Sequence, residues 1–393
     1  MSQLAAHVRS VDPNQIREIT QAAWATPNAV VLSIGEPGFP TPEHVLQAAQ
    51  DTLARDETGY TPNAGISPLR TAFAERVAAQ TGTPVDPSRV FVTSGAQQGL
   101  HLAMSMLLDA GDEILIPNPG YPTFAMTARL LHAEPVEYPL HPENGFQPRI
   151  EDIEARITPR TRVLLVNSPS NPLGAVFSPE LTRDLVSLAR RRNLWILSDE
   201  CYEAFTYDVP HVSPLAFDGG GERVIASYTL SKTYGLTGLR VGALVTPAGL
   251  EAQLSTVMES IVSCVASPSQ YAALAALTGP QDYVQEAAAH YRGNRDAASA
   301  ILDSKGMASA ILDSKGIPYL AAQGAFYLWA DLSHASGGNI RNWAGRFLSE
   351  EGVAVAPGTA FGSIGEGWIR IALCGGRAEL VSGVSRLPAP GVG

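Results

Sequence analysis

Between about residue 70 and residue 250, short apolar runs alternate with longer stretches whose apolar positions recur at helical spacing. The short runs predict strands over Arg89–Thr93, Glu113–Ile116, Arg162–Val166, Leu194–Ser198, Arg223–Tyr228 and Val241–Val245. Amphipathic stretches such as Pro179–Arg191 predict helices between several of them. This alternation is the pattern of an α/β fold with a largely parallel sheet and crossover helices. From about 249 to 305, helix is expected to follow helix with short breaks. Beyond that, strand-like runs at Ala325–Ala330, Gly352–Ala356 and Trp368–Leu373 mix with helical ones, as in a smaller α+β domain. The expected organisation is an N-terminal arm over 1–45 that joins the small domain, a large α/β domain over 46–280, and a small domain over 281–393. The second boundary rests on the break at Thr278-Gly279-Pro280.

Length and composition narrow the function classes. A chain of 393 residues can bury a large core. With 45% hydrophobic and 17% charged residues it has the make-up of an ordinary soluble globular protein. A net charge of −11 argues against a broad basic face for nucleic acid or anionic lipid. Residues 1–20 are polar, without a signal-peptide apolar core, and no run approaches the roughly 18–20 apolar residues of a membrane helix. Cys201, Cys264 and Cys374 are far apart and lack zinc-site or disulfide spacing, so no metal is expected and a reducing cytoplasm fits. One oddity is a tandem copy: 297–306 reads AASAILDSKG and 307–316 reads MASAILDSKG. Ten residues are about 2.8 helical turns, so one copy is expected to bulge from, or extend, a surface helix.

Candidate chemistry sits where the strands end. In open α/β sheets ligands gather at the carboxyl ends of strands. Arg89–Thr93 runs into Ser94-Gly95-Ala96-Gln97, a turn whose small residues let backbone amides reach a phosphate at a helix N-terminus. Glu113–Ile116 leads to Tyr121, held between prolines and able to lie on a planar ring. Arg162–Val166 leads to Asn171-Pro172-Leu173-Gly174, a turn that fixes an amide donor. Leu194–Ser198 ends in Asp199, whose carboxylate needs a cationic partner if buried, with Tyr202 three residues on. Arg223–Tyr228 leads to Thr229, Ser231, Lys232 and Arg240. An amine that forms a Schiff base needs a lowered pKa, and a phosphate nearby needs hydroxyls and a guanidinium. Each loop also has an ordinary reading: a strand-to-helix connection, a packed tyrosine, a plain Asn-Pro turn, a helix cap, a solvated lysine. Their joint occurrence at successive strand ends favours a single site.

At these residues the chain resembles the class I/II aminotransferases, pyridoxal-phosphate enzymes of fold type I, in the aspartate, alanine and aromatic aminotransferase branch. The likeness extends to Ser33-Ile-Gly35-Glu-Pro37, Tyr60-Thr-Pro-Asn-Ala-Gly65, Gly324-Ala-Phe-Tyr327, Pro357-Gly-Thr-Ala-Phe-Gly362 and Ile369-Arg370-Ile371. It implies a three-layer sandwich on a mostly parallel central sheet, with pyridoxal 5'-phosphate as cofactor. By position, Lys232 would carry the internal aldimine and move the proton, and Asp199 would hold the pyridine nitrogen protonated. Tyr202 and Asn171 would bond the phenolic oxygen, and Tyr121 would stack on the ring. Gly95, Ala96, Gln97, Thr229 and Arg240 would hold the phosphate, joined by Tyr60 from a neighbouring subunit. That last role implies a homodimer with shared sites. Arg370 would clamp the substrate α-carboxylate, with Gly35 and Asn171 lining the same pocket. The expected activity moves an amino group from an L-amino acid to a 2-oxo acid, commonly 2-oxoglutarate, by ping-pong kinetics.

Three departures stand out. Leu173 occupies a place where threonine is commoner, and Thr229 stands for serine. Gln97 takes the place where aspartate-using members carry a lysine, which argues against strict aspartate specificity. A C–S β-lyase on the same scaffold is the nearest alternative. A ligand-sensing regulator is a distant one, since no basic recognition helix precedes Ser33.

Overall fold

In the computed structural model, which describes residues 4–219, 221–304 and 316–391, seven strands form the main sheet. They are β1 (Val90–Thr93), β2 (Glu113–Asn118), β3 (Glu134–Pro139), β4 (Thr161–Asn167), β5 (Trp195–Asp199), β6 (Val224–Thr229) and β7 (Gly242–Val245). Their order across the sheet is β1-β7-β6-β5-β4-β2-β3. All pairings are parallel except those of β7, which runs antiparallel to both β1 and β6. Side chains along β1, β2, β6 and β7 are buried throughout, as a sheet covered on both faces requires.

The six expected strands of this region all occur, and β3 is an addition. It is an edge strand with Pro135 and Pro139 in it and most of its side chains half-buried or exposed, so it lacks the apolar run of its neighbours. Helices α1 (Gln15–Trp24), α2 (Gly95–Leu107), α3 (Pro179–Arg192) and α4 (Leu230–Thr233) bear on the site. Pro179 opens α3 after Ser178, whose hydroxyl caps Leu181 N at 3.1 Å, and Asn193 ends it in the left-handed conformation.

A second, antiparallel sheet joins Tyr319–Leu320, Tyr327–Asp331, Ala356–Pro357 and Trp368–Ala372. Most of it packs in a second buried cluster with Leu32, Tyr291 and Phe326, while Trp329 and Ala356 join the core of the main sheet. Val30–Val31 pairs with Val353–Ala354, which ties the N-terminal arm to this part of the chain. The long helix Asp282–Ser304 takes in the start of the tandem copy; the remainder, through residue 315, lies outside the described residues. Among the described residues, no helix is long and apolar enough to cross a membrane.

Candidate active site

Strand register assembles the site before any side chain is considered. Asn167 of β4 lies beside Asp199 of β5, and Asp199 beside Ser227 of β6, so three polar residues form a row at the carboxyl edge of an apolar sheet. Asp199 is 4% exposed. Burial is the main force that pushes its carboxyl up from 3.8 to about 6; bonds from Cys201, including its backbone N–H at 3.2 Å, oppose this, and the neighbouring Glu200 adds to it. Thus the acid that the sequence placed here needs a cation, and among the described residues it has no ion-pair partner.

The edge opens on a cleft of about 680 Å³. Gly35, Ala96, Gln97, Tyr121, Asn171 and Asp199 line it, together with Tyr202, Thr229, Lys232, Arg240 and Arg370. Lys232 reaches it from α4, which begins directly after β6 because Thr229 Oγ1 accepts the Ser231 N–H at 3.1 Å. Thr229 is therefore a helix cap as well as a wall of the cleft. Lys232 Nζ donates to Gly35 O at 2.7 Å, and burial, helped by the charge of Arg370, lowers its pKa.

At the other end of this wall, α2 points its N-terminus toward Arg240. Gly95 has φ +75°, a backbone conformation that favours glycine, and a Cβ there would lie 2.7 Å from Arg240 Nη2 and push on the guanidinium. Arg240 Nη1 donates to Ser231 Oγ at 3.3 Å and to Thr237 O at 2.9 Å. Backbone donors, two hydroxyls and a guanidinium thus converge in one corner. Gln97 turns its side chain away from charge recognition: its carbonyl accepts from Thr123 Oγ1 at 2.8 Å.

Arg370 is 2% exposed. Its Nη1 donates to Asn171 Oδ1 at 2.8 Å and Nη2 to Ser33 O, while Nε has no partner among the described residues. The guanidinium lies over the Tyr327 ring, 4.3 Å from its centroid, and Tyr327 shares a 2.8 Å hydrogen bond with Tyr202. Gly35 makes this possible, because a Cβ there would fall 1.8 Å from Tyr327 Oη. The remaining expected residue, Tyr60, lies elsewhere: it is 94% exposed and does not line the cleft of its own chain.

A family profile of class I and II aminotransferases matches residues 27–387. The chain belongs to this family. An aspartate aminotransferase of Pyrococcus horikoshii is 33% identical over 98% of this chain and 96% of its own. An arginine–pyruvate transaminase of Pseudomonas aeruginosa is 35% identical over 91% and 88%. The solved structure of the Thermus thermophilus aspartate aminotransferase with maleate aligns with a TM-score of 0.90 at 32% identity, covering 98% of this chain and 100% of that one. This aminotransferase therefore has the expected fold type I, and it is a pyridoxal-phosphate-dependent transaminase.

Other walls of the cleft carried no sequence expectation. Asn14, Ile16, Arg17, Thr20 and Trp24 come from α1 and its cap, and Glu36 and Cys201 are also among the lining residues. The Asn14 cap, bonded to Ile16 N at 3.0 Å, and the apolar spacing of Ile16, Ile19 and Ala23 are legible as a helix. Where that helix packs is not. A buried cluster also stands behind Asp199: Glu200 accepts from Ser198 Oγ and Ser213 Oγ at 2.8 Å each and lies 2.5 Å from His211 Nε2.

Proposed function

We propose that the cleft holds pyridoxal 5'-phosphate with Lys232 as its covalent anchor, and that the aminotransferase passes an amino group from an L-amino acid to 2-oxoglutarate in two half-reactions. The observation that carries this is the pairing of a buried carboxylate and a half-buried amine, neither in an ion pair among the described residues, across one cleft. A pyridinium fits Asp199, because a cation there relieves the burial that raises its pKa. A phosphate fits the corner of Gly95, Ala96, Gln97, Thr229 and Arg240, where backbone donors meet a guanidinium packed against a left-handed glycine.

Bound there, the cofactor would supply an electron sink for the substrate carbon that loses its proton. The protein's own residues do the rest. Lys232, whose pKa burial lowers, accepts that proton and returns it. Asp199 stays ionised beside the ring nitrogen. Tyr202 and Asn171 offer donors to the ring's phenolic oxygen, and Tyr121 covers a ring face. Arg370, already aligned by Asn171 and Ser33 O and with Nε still to be satisfied, receives the α-carboxylate at the mouth formed by Gly35.

The exposure of Tyr60, away from its own cleft, supports a homodimer in which it reaches the partner's phosphate. The free cysteines fit the cytoplasm. The two sheets and the two main buried clusters support a large domain over 46–280 and a small one over 281–393, joined by the arm 1–45, with Tyr202, Phe205 and Tyr207 packing into the smaller cluster and Trp329, Ala356 and Phe361 into the larger. Lys232→Ala should lose turnover with every amino donor and the visible absorbance of the bound cofactor at roughly 400–430 nm. Retained turnover in that variant refutes the assignment. Assay of the wild type with 2-oxoglutarate against a panel of donors, varying both substrates, tests the acceptor and the two half-reactions.

A further inference from the structure

Three arginines line the cleft, and the reading above uses two of them, Arg240 and Arg370. The third, Arg17, stands on α1. Asn14, Arg17 and Trp24 fall on one flank of that helix by spacing, and all three line the cleft. Ile16, Thr20 and Ala23 form its buried face, and Glu18 turns instead to Arg341 at 2.8 Å. Arg17 is held at its backbone, where its N–H donates to Asn14 Oδ1 at 3.3 Å. Among the described residues its guanidinium has no carboxylate partner.

The charge of Arg17 is nonetheless felt inside the site. Burial pushes the Tyr121 phenol up, and the charges of Arg370 and Arg17 both oppose that rise. Of the carboxylates lining the cleft, Asp199 faces the proposed ring site and Glu36 already accepts from Thr237 Oγ1 at 2.7 Å. Gln97, which lies on the same lining, contributes an amide engaged by Thr123 and brings no charge. The cleft therefore presents one cation more than an α-carboxylate and a phosphate require.

We infer that Arg17 pairs with the side-chain carboxylate of a dicarboxylic amino acid or 2-oxo acid, and so sets a preference for substrates with two carboxylates. The inference rests on the reading of Arg370 as the α-carboxylate clamp. The cation that selects a second carboxylate thus comes from the N-terminal helix rather than from the turn after β1.

Calorimetric binding of succinate and of butyrate to the holoenzyme tests this without turnover. The two acids share a four-carbon chain and differ by one carboxylate. The wild type should prefer succinate by roughly tenfold, as expected for one added charge-assisted hydrogen bond at a partly solvated site. That preference should shrink as salt is raised. Arg17→Gln should bring the preference close to one, and Arg17→Lys should retain most of it. An Arg17→Gln preference equal to that of the wild type overturns the inference, as does a wild type that prefers butyrate. Failure of the underlying reading looks different: Arg370→Lys would then bind both acids as tightly as the wild type does.

Discussion

Asp199→Asn should make the cofactor-free protein more stable while abolishing transamination. The folded chain raises this carboxyl from 3.8 to about 6, chiefly by burial. Between those two values the folded state keeps a proton that the unfolded state has released, so stability falls as pH rises through the window and levels off above it. At about 1.4 kcal/mol per pH unit, the ionised carboxylate costs about 3 kcal/mol at neutral pH. With Asp199 only 4% exposed, solvent screening does little to reduce that figure. Asparagine keeps the shape and can still accept from the Cys201 N–H, but has no charge to bury.

Urea unfolding of both cofactor-free proteins across pH 5 to 8 measures the effect, with midpoints compared at a common m-value. The variant should lead by about 3 kcal/mol above pH 7 and by roughly half of that at pH 5. A lead that does not change with pH, or no lead, refutes the argument that burial, aided by Glu200, strains this carboxylate. Saturating the wild type with cofactor should reverse the order, because a bound cation offsets the same cost and binding to the folded state stabilises it. The residue is thus a case of stability given up for function.

Two further perturbations probe the walls of the site. Gly35→Ala places a methyl 1.8 Å from Tyr327 Oη, so it should displace that ring from Arg370 and Tyr202. A loss of about 1–3 kcal/mol in stability is expected from overpacking, seen by thermal unfolding, along with weaker binding of carboxylic acids. His211→Ala leaves Glu200 buried with only Ser198 and Ser213 as side-chain donors, which should cost about 3–5 kcal/mol in denaturant unfolding. Adding Glu200→Gln to that variant should restore part of the loss, since the remaining group is then uncharged.

Much of the site was legible because each chemical residue follows an apolar run of strand length. Asp199 closes β5, Asn171 follows β4, and Thr229 and Lys232 follow β6. Strand ends in a covered parallel sheet have one place to go, so their order along the chain already groups them. The sequence did not reveal β3, whose prolines and exposed positions hide an edge strand, or the antiparallel direction of β7, since an apolar run has no sign. Gly35 was readable as a motif residue, whereas the reason for it, the Tyr327 hydroxyl, comes from a strand nearly three hundred positions away.

Local pattern by itself determined the α/β class, the strand-end loops and the residue types that meet at them, because periodicity and turn chemistry act over a few neighbours. Only the tertiary structure decided which of those groups are dehydrated and what they touch. Burial turned Asp199 into a raised acid and Lys232 into a lowered base, and packing brought α1 with Arg17 to the cleft. Desolvation and long-range contact are properties of the folded surface, and no stretch of chain carries them alone.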